Sequence, residues 1–403
     1  MAEQAGTGPL AGVRVLELGN MYAAPTAGRM LRDFGADVFK VEDPAVGDYA
    51  RQWTPQKDGL ALGFARLNSG KRSVGIDLRS DRGRDLVLRL AAKADVVVES
   101  FRPGRLEAWG LGYDELRAVN SRLILTRVSG FGQTGPYSAR PGFGTVAEVA
   151  SGFAFINGWP DSPPTSPPFG FADSIAGIAA AMGTAMSLYR REHTGDGDVV
   201  DVALYEPLMF IVGDMLLKYQ ALGEIQQRVG NSTGSASPRG VYQTMDGHWL
   251  AIAASNQVIA QRLFAAMGEP ELIEDPRYAT NAARMERNDE LQAKVSTWVG
   301  SRSRDEVLKV LDDFEVVASP VNDARDIVED PHFLSRSLVD LTGNEVLGRI
   351  LVPGPILHLR SFDGPRYVGV PAIGEHTREV LTDLAGLSES EVAELASAGV
   401  VSS

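Results

Sequence analysis

The sequence predicts an α/β protein with two domains, a larger one built on an open, mostly parallel sheet and a smaller α+β one. Three observations carry that reading. Short apolar strands alternate with helix-length segments through the first half of the chain, which is the pattern of a parallel sheet covered by helices on both faces. At 403 residues the chain is long enough for two cores, and its 44% hydrophobic and 23% charged content is ordinary for a folded protein. Composition then changes after residue 222, where the polar, Gly- and Ser-rich loop Gly230–Pro238 interrupts the pattern.

Taken in order, Val13–Leu18 is an apolar strand, Pro25–Gly35 a helix closed by glycine, and Asp37–Glu42 a second strand, together a βαβ unit. The pattern repeats as strand Ser73–Leu78, helix Asp81–Ala94, strand Asp95–Glu99, helix Gly112–Val119 and strand Arg122–Arg127. A small-residue helix beginning near Asp173, a strand at Asp198–Leu204 and a helix over Met209–Leu222 complete the larger domain's first part. The smaller domain, residues 223–327, starts with a hairpin, Gly240–Gln243 and Trp249–Ala253, turned at Asp246-Gly247, and continues with helices Gln257–Met267, Arg287–Val299 and Arg304–Phe314. Strands Leu338–Leu341 and Arg349–Val352 and two closing helices within Glu375–Val400 return the tail to the larger domain, which therefore comprises 1–222 and 328–403. In such sheets ligands gather at the carboxyl ends of the strands. The loops Gly19–Ala24, Ser100–Gly104 and Ser129–Gly135 are the places to look.

A net charge of −13 argues against nucleic acid as a partner, because binding phosphate backbones needs a basic face. No run approaches eighteen apolar residues, and the N-terminal residues lack a basic start and an apolar stretch, so no membrane partner and a cytoplasmic protein are expected. The absence of cysteine excludes a thiol nucleophile and thiolate-ligated zinc. The five histidines form no i, i+4 pair, so no metal site is expected.

Two glycine motifs fail on context. Gly130–Gly135 fits a dinucleotide string but runs into Pro136 rather than a helix, and Gly230–Gly234 fits a nucleophile elbow without the flanking strand and helix. Asp173 is the more informative residue. Preceded by a Gly- and Pro-rich approach and followed by Ile178–Tyr189, it reads as a helix N-cap. The same placement holds an ionised carboxylate beside amide donors, as a nucleophile for acyl transfer requires, and both readings stand. Basic residues gather on two loops, Asn68–Arg72 and Phe101–Arg105, where a phosphate-bearing ligand has room.

Several stretches together resemble the family III, CaiB/BaiF-type, CoA-transferases: Leu10–Leu18, Phe34–Glu42, Gly47-Asp48 with Arg51, Asn68–Leu78, Val98–Gly104, Ser129–Pro136, Ala172–Gly177 and Gly374–Leu381. The resemblance implies a Rossmann-like large domain, two chains interlocked as a homodimer, and coenzyme A as co-substrate with an acyl-CoA and a carboxylic acid acceptor as partners. It puts the catalytic aspartate at Asp173, with Glu148 beside it as an orienting group, and the CoA contacts at Met21, Tyr22, Ala23, Asn68, Lys71, Arg72, Ser100, Phe101, Arg102 and Arg105. There are departures from the family pattern. Ala108 stands where relatives carry a basic residue, Tyr22 and Thr233–Pro238 replace the glutamine and glycine loop of the formyl-CoA branch, and Phe143 replaces the base histidine of the racemase branch. A racemase or a silent acyl-CoA-binding protein are the alternatives to CoA transfer.

Overall fold

The computed structural model describes residues 8–232 and 234–402. Its elements begin with β1 (Arg14–Glu17), α1 (Ala23–Asp33), β2 (Asp37–Glu42), the hairpin β3 (Gln56–Lys57) and β4 (Leu60–Ala61), α2 (Leu62–Asn68), β5 (Arg72–Gly75) and α3 (Asp81–Ala91). There follow β6 (Val96–Glu99), α4 (Arg105–Ala108), α5 (Tyr113–Val119), β7 (Ile124–Ser129), α6 (Gly144–Ala150), α7 (Phe153–Ile156), α8 (Phe171–Thr194), β8 (Asp198–Ala203), α9 (Glu206–Ile211) and α10 (Asp214–Leu222). The chain continues through β9 (Arg239–Gln243), β10 (Trp249–Ala253), α11 (Gln257–Met267), α12 (Asn281–Glu286), α13 (Asn288–Gly300), α14 (Arg304–Asp313), β11 (Ala318–Pro320) and α15 (Ala324–Glu329). It ends with α16 (Pro331–Arg336), β12 (Leu338–Asn344), β13 (Gly348–Pro353), β14 (Tyr367–Val368), α17 (Thr377–Asp383) and α18 (Glu389–Ser397).

The chain divides into two compact units. One runs to Phe153, resumes over Ser166–Leu217 and again from Pro331; the other comprises Ala154–Thr165 and Lys218–Asp330. Residues 154–165, 218–222 and 328–330, grouped with the larger domain on sequence alone, thus belong to the smaller unit.

The larger unit is organised by a six-stranded, all-parallel sheet of order β5-β2-β1-β6-β7-β8. Numbering only these strands along the chain gives 3-2-1-4-5-6, the order of doubly wound nucleotide-binding sheets, with its reversal between β1 and β6. Central strands in such a sheet are buried on both faces and read as unbroken apolar runs. Val96, Val97 and Val98 in β6 do so, each fully buried. One face is covered by α3, α5, α17 and α18 through Leu86, Val87, Leu116, Val380, Leu381 and Leu395. Helix α3 supplies its stripe at i, i+1, i+4, i+5 and is started by Ser80, whose hydroxyl accepts from Gly83 N. The other face is covered by α1, α6, α8 and α9, where small residues such as Ala24, Ala27, Ala176 and Ala180 allow close approach.

One expectation shifts. The helix expected over 209–222 is two, α9 and α10, separated at Val212-Gly213. The C-terminal strands pair with each other and with β14 in a separate three-stranded sheet rather than extending the main one. The terminal residues do return to the large sheet, where Val401 bridges Ile76. The smaller unit holds an antiparallel sheet, β11-β10-β9, around a core of Leu250, Ile252, Leu263, Val295, Trp298 and Val307.

Candidate active site

In an open parallel sheet the strand-order reversal splays the loops at the carboxyl ends of two neighbouring strands and opens a crevice. Here those loops follow β1 and β6. They enclose, with residues just beyond β7, a cavity of about 130 Å³ whose walls include Met21, Tyr22, Ser100, Ser129, Phe143 and Asp173.

Asp173 enters it from α8. The expected N-cap role is corrected: Gly170 is the cap, and Asp173 lies in the first turn of the helix. Gly170 lies against the Tyr22 ring, which a Cβ would approach within 3.2 Å, and the helix starts at Phe171, two residues before Asp173, whose carboxylate does not turn back onto the first-turn amides. No side chain or backbone group among the described residues hydrogen-bonds its carboxylate. Burial, with a smaller contribution from the negative charge of Glu148, pushes Asp173 up to about 6. At neutral pH it is therefore mostly ionised, poorly solvated and unpaired, which is the state of an activated carboxylate nucleophile. Gly144 makes the apposition possible, since a Cβ there would lie 2.2 Å from Asp173 Oδ2.

Glu148, on α6, is buried, and its Oε1 accepts from Ala172 N at 3.4 Å. It touches the backbone that carries Asp173 rather than the cavity. Glu148→Gln keeps an oxygen for that amide but removes the charge, so Asp173 is expected to ionise more easily. The acid limb of the activity profile should move to lower pH by roughly half a unit, read from kcat over pH 4.5–8, and a move to higher pH would contradict the electrostatic role.

The β1 loop is held by buried charge that sequence reasoning missed. Met21 adopts a left-handed φ of 69°, and its N–H donates to Asp48 Oδ1 at 3.0 Å. Lys40 Nζ bridges Asp48 Oδ2 at 2.7 Å, Glu17 Oε1 at 2.9 Å and the Gly19 carbonyl at 2.8 Å. Lys71 Nζ binds Glu17 Oε2 at 2.7 Å, the Pro25 carbonyl at 2.9 Å and Asn68 Oδ1 at 2.9 Å. Burial opposes the charge on both lysines. It pulls Lys71 down to about 8, whereas at Lys40 it is overcome by Glu17, Asp48 and Glu42, which hold that ammonium protonated. The available signal was charged residues inside apolar strands, Glu17 in β1 and Lys40 and Glu42 in β2, because such residues are almost never buried unless paired.

The sequence-derived CoA contacts therefore separate. Met21, Tyr22, Ala23, Ser100, Phe101 and Arg102 meet at the cavity with Asp173. Asn68 and Lys71 do not reach it, being consumed by the buried network. Arg72 also lies elsewhere, paired with Asp37 and, at 3.1 Å, with Glu379. Arg105 lines a second cavity of about 290 Å³ with Arg102, Gly104, Ala108 and Ala139. Arg102 and Pro103 belong to both cavities. Neither Arg102 nor Arg105 has an acidic partner among the described residues, and the Arg105 guanidinium lies 5.4 Å from the Trp109 ring centre. The smaller cavity thus holds an unpaired carboxylate, and the adjoining one opens beside two unneutralised guanidiniums. Among the described residues no cluster of His, Asp and Glu suits a metal ion. Of the departures noted above, Thr233 lies outside the described residues.

Comparison with known proteins gives consistent matches. The model of CoA-transferase family III matches residues 10–377. A succinyl-CoA–D-citramalate CoA-transferase of Chloroflexus aurantiacus is 41% identical over 402 residues, covering 100% of both chains. A succinate–glutarate CoA-transferase of Agrobacterium fabrum is 35% identical, covering 93% of this chain and 96% of its own. Among solved structures, a CAIB/BAIF family protein from Brucella suis is similar with a TM-score of 0.83 and 33% identity, covering 94% of this chain and all of that one.

Proposed function

The chain belongs to CoA-transferase family III, and from that premise we propose that it moves CoA from a dicarboxylic acyl-CoA, succinyl-CoA foremost, to a second dicarboxylic acid through covalent intermediates on Asp173. The observation that carries this reading is the unpaired Asp173 carboxylate, raised to about 6, at the strand-order reversal. The curated relatives support the substrate class, since their names join succinyl-CoA or succinate to other dicarboxylic acids.

In the proposed sequence an Asp173 oxygen attacks the thioester carbonyl; the C–S bond breaks, leaving a mixed anhydride and CoA thiolate. The thiolate attacks the aspartyl carbonyl, expelling the donor acid as its carboxylate and forming an aspartyl-CoA thioester. The acceptor carboxylate attacks that thioester, releasing thiolate, which then attacks the acceptor's acyl carbon and frees Asp173 with the new acyl-CoA. Each addition develops an oxyanion. Candidate donors are the first-turn amides of α1 at Ala23, which have no intrahelical partner, and the Ser129 hydroxyl, which is buried, unpaired and on the cavity wall. The phosphates of CoA are assigned to Arg102 and Arg105 in the adjoining cavity, with Arg105 standing in for the missing basic residue at Ala108. Phe143 at the cavity wall cannot take a proton, which favours transfer over racemisation.

The test is intact-mass analysis after incubation with succinyl-CoA, followed by hydroxylamine or borohydride trapping and peptide mapping. An adduct on the Asp173 peptide is expected. Catalysed α-proton exchange in deuterated water without any adduct would favour an isomerase instead.

The reading includes a homodimer. Helix α8 is long and apolar enough to cross a membrane by length and composition. One side of it packs in the core, while Ile178, Met182, Met186 and Tyr189, spaced four, four and three apart, are exposed at 39%, 57%, 62% and 72%. Such a stripe is the mark of an interface, and a second copy of the chain is its assigned cover. Light scattering is expected to give twice the chain mass, and Met186→Glu to shift the protein toward the monomer; a monomeric parent would remove the dimer from the reading.

A further inference from the structure

A dicarboxylic substrate presents a problem that the transfer chemistry does not solve. One carboxyl carbon must sit at Asp173, and the other carboxylate, still charged, enters the same crevice. The anionic Asp173 and Glu148 repel it. It needs a cation that neither the buried network nor the CoA phosphates occupy.

Arg140 meets that description. It lies on the Gly-rich loop between β7 and α6 and is one of the residues lining the cavity that contains Asp173. It is not among the residues of the adjoining cavity, where Arg102 and Arg105 are. No carboxylate among the described residues pairs with it. Its guanidinium is instead laid on the Tyr137 ring, 3.6 Å from the ring centre, and Tyr137 in turn meets Phe131 edge-on at 5.8 Å. An Arg stacked on an aromatic face is fixed in plane while its N–H edge stays free, the arrangement that accepts a carboxylate in bidentate fashion at low entropic cost. The other cation lining that cavity is Arg102, which also lines the adjoining one and is assigned above to the CoA phosphates; the cations behind the loops are neutralised, Lys40 by Glu17 and Asp48, Lys71 by Glu17, Arg51 by Glu42 and Arg127 by Glu99 and Glu107.

We propose that Arg140 binds the distal carboxylate of both the donor acyl-CoA and the acceptor acid, and so makes the site selective for dicarboxylates over monocarboxylates of the same length. The proposal rests on the transfer reading above. Because donor and acceptor pass through the same covalent aspartyl states, one cation placed beyond Asp173 serves both half-reactions.

The test compares succinyl-CoA with butyryl-CoA, which replaces the distal carboxylate by a methyl group at equal chain length. In the parent protein kcat/KM is expected to favour succinyl-CoA. In Arg140→Ala that ratio should fall at least tenfold, through KM more than kcat, with Arg140→Lys intermediate because a point charge remains without the fork. Arg102→Ala, a change at the assigned phosphate contact, should lower both substrates alike and leave the ratio near the parent's. An Arg140→Ala ratio equal to the parent's overturns the proposal, whether both rates drop together or neither does. Failure of the transfer reading looks different, because no adduct would then form on the Asp173 peptide with either thioester.

Discussion

Asp173→Asn is expected to lower CoA transfer by at least about a thousandfold while leaving a protein that still binds CoA and is more resistant to unfolding. The loss of activity follows from replacing the attacking oxygen of a carboxylate by an amide, which cannot form the anhydride. The stability gain follows from the direction of the pKa shift. A carboxyl raised to about 6 in the fold, against the ordinary 3.8 of an exposed aspartate, binds its proton more tightly when folded. Between those values the native state holds more protons than the unfolded one, so this group's contribution to stability falls as pH rises through that window and stays unfavourable at pH 7. Removing the charge should recover on the order of 1–2 kcal/mol after allowance for partial screening. Denaturant unfolding at pH 7 and at pH 4 checks it: the Asn variant should exceed the parent at pH 7, and the gap should close at pH 4. Turnover close to the parent's would take Asp173 out of the chemistry. In the parent, kcat should rise with pH through about 6 as the carboxylate forms.

Lys40→Met is expected to be the most damaging change to the fold that touches no substrate. Lys40 is fully buried, with Glu17 and Asp48 bound to its ammonium at 2.9 and 2.7 Å. Its loss leaves buried Asp48 without a counter-ion and Glu17 with Lys71 alone, and breaking a buried ion pair in this way usually costs about 3–5 kcal/mol. It also frees the Gly19 carbonyl and leaves Asp48 to hold the Met21 amide without its counter-ion. A large drop in the unfolding midpoint is the first expected result. The second, in whatever folded protein remains, is a fall in kcat, because Met21, whose left-handed conformation shapes the wall of the Asp173 cavity, loses its anchor. Substituting Asp48→Asn retains an acceptor for Met21 and should be milder on kcat than on stability. Equal and small effects from both would show that the network does not position the loop.

How far the sequence reached can be judged from these residues. The parallel sheet was legible because Val96–Val98 and its neighbours form apolar runs that only a doubly covered strand buries. The crevice was legible as well, since ligand loops follow carboxyl ends of strands, and Met21, Tyr22, Ser100 and Arg102 lie at it. Asn68 and Lys71 illustrate the limit. A basic residue on a loop has the same letter whether it faces a phosphate or a buried glutamate, and only Glu17 arriving from β1 decides which.

By itself, therefore, the sequence determined the alternation of strands and helices in the large sheet, the family, and the aspartate proposed here as the nucleophile, because each is carried by local periodicity or a contiguous motif. The tertiary structure alone decided that Asp173 is not a cap but a bare carboxylate driven up to about 6. It also decided which cations are spent in the core and which, Arg102, Arg105 and Arg140, line the cavities without an acidic partner among the described residues. The reason is that desolvation and charge pairing depend on distances between residues far apart in the chain, such as Glu17 and Lys71 at 2.7 Å, and those distances exist only once the sheet has closed.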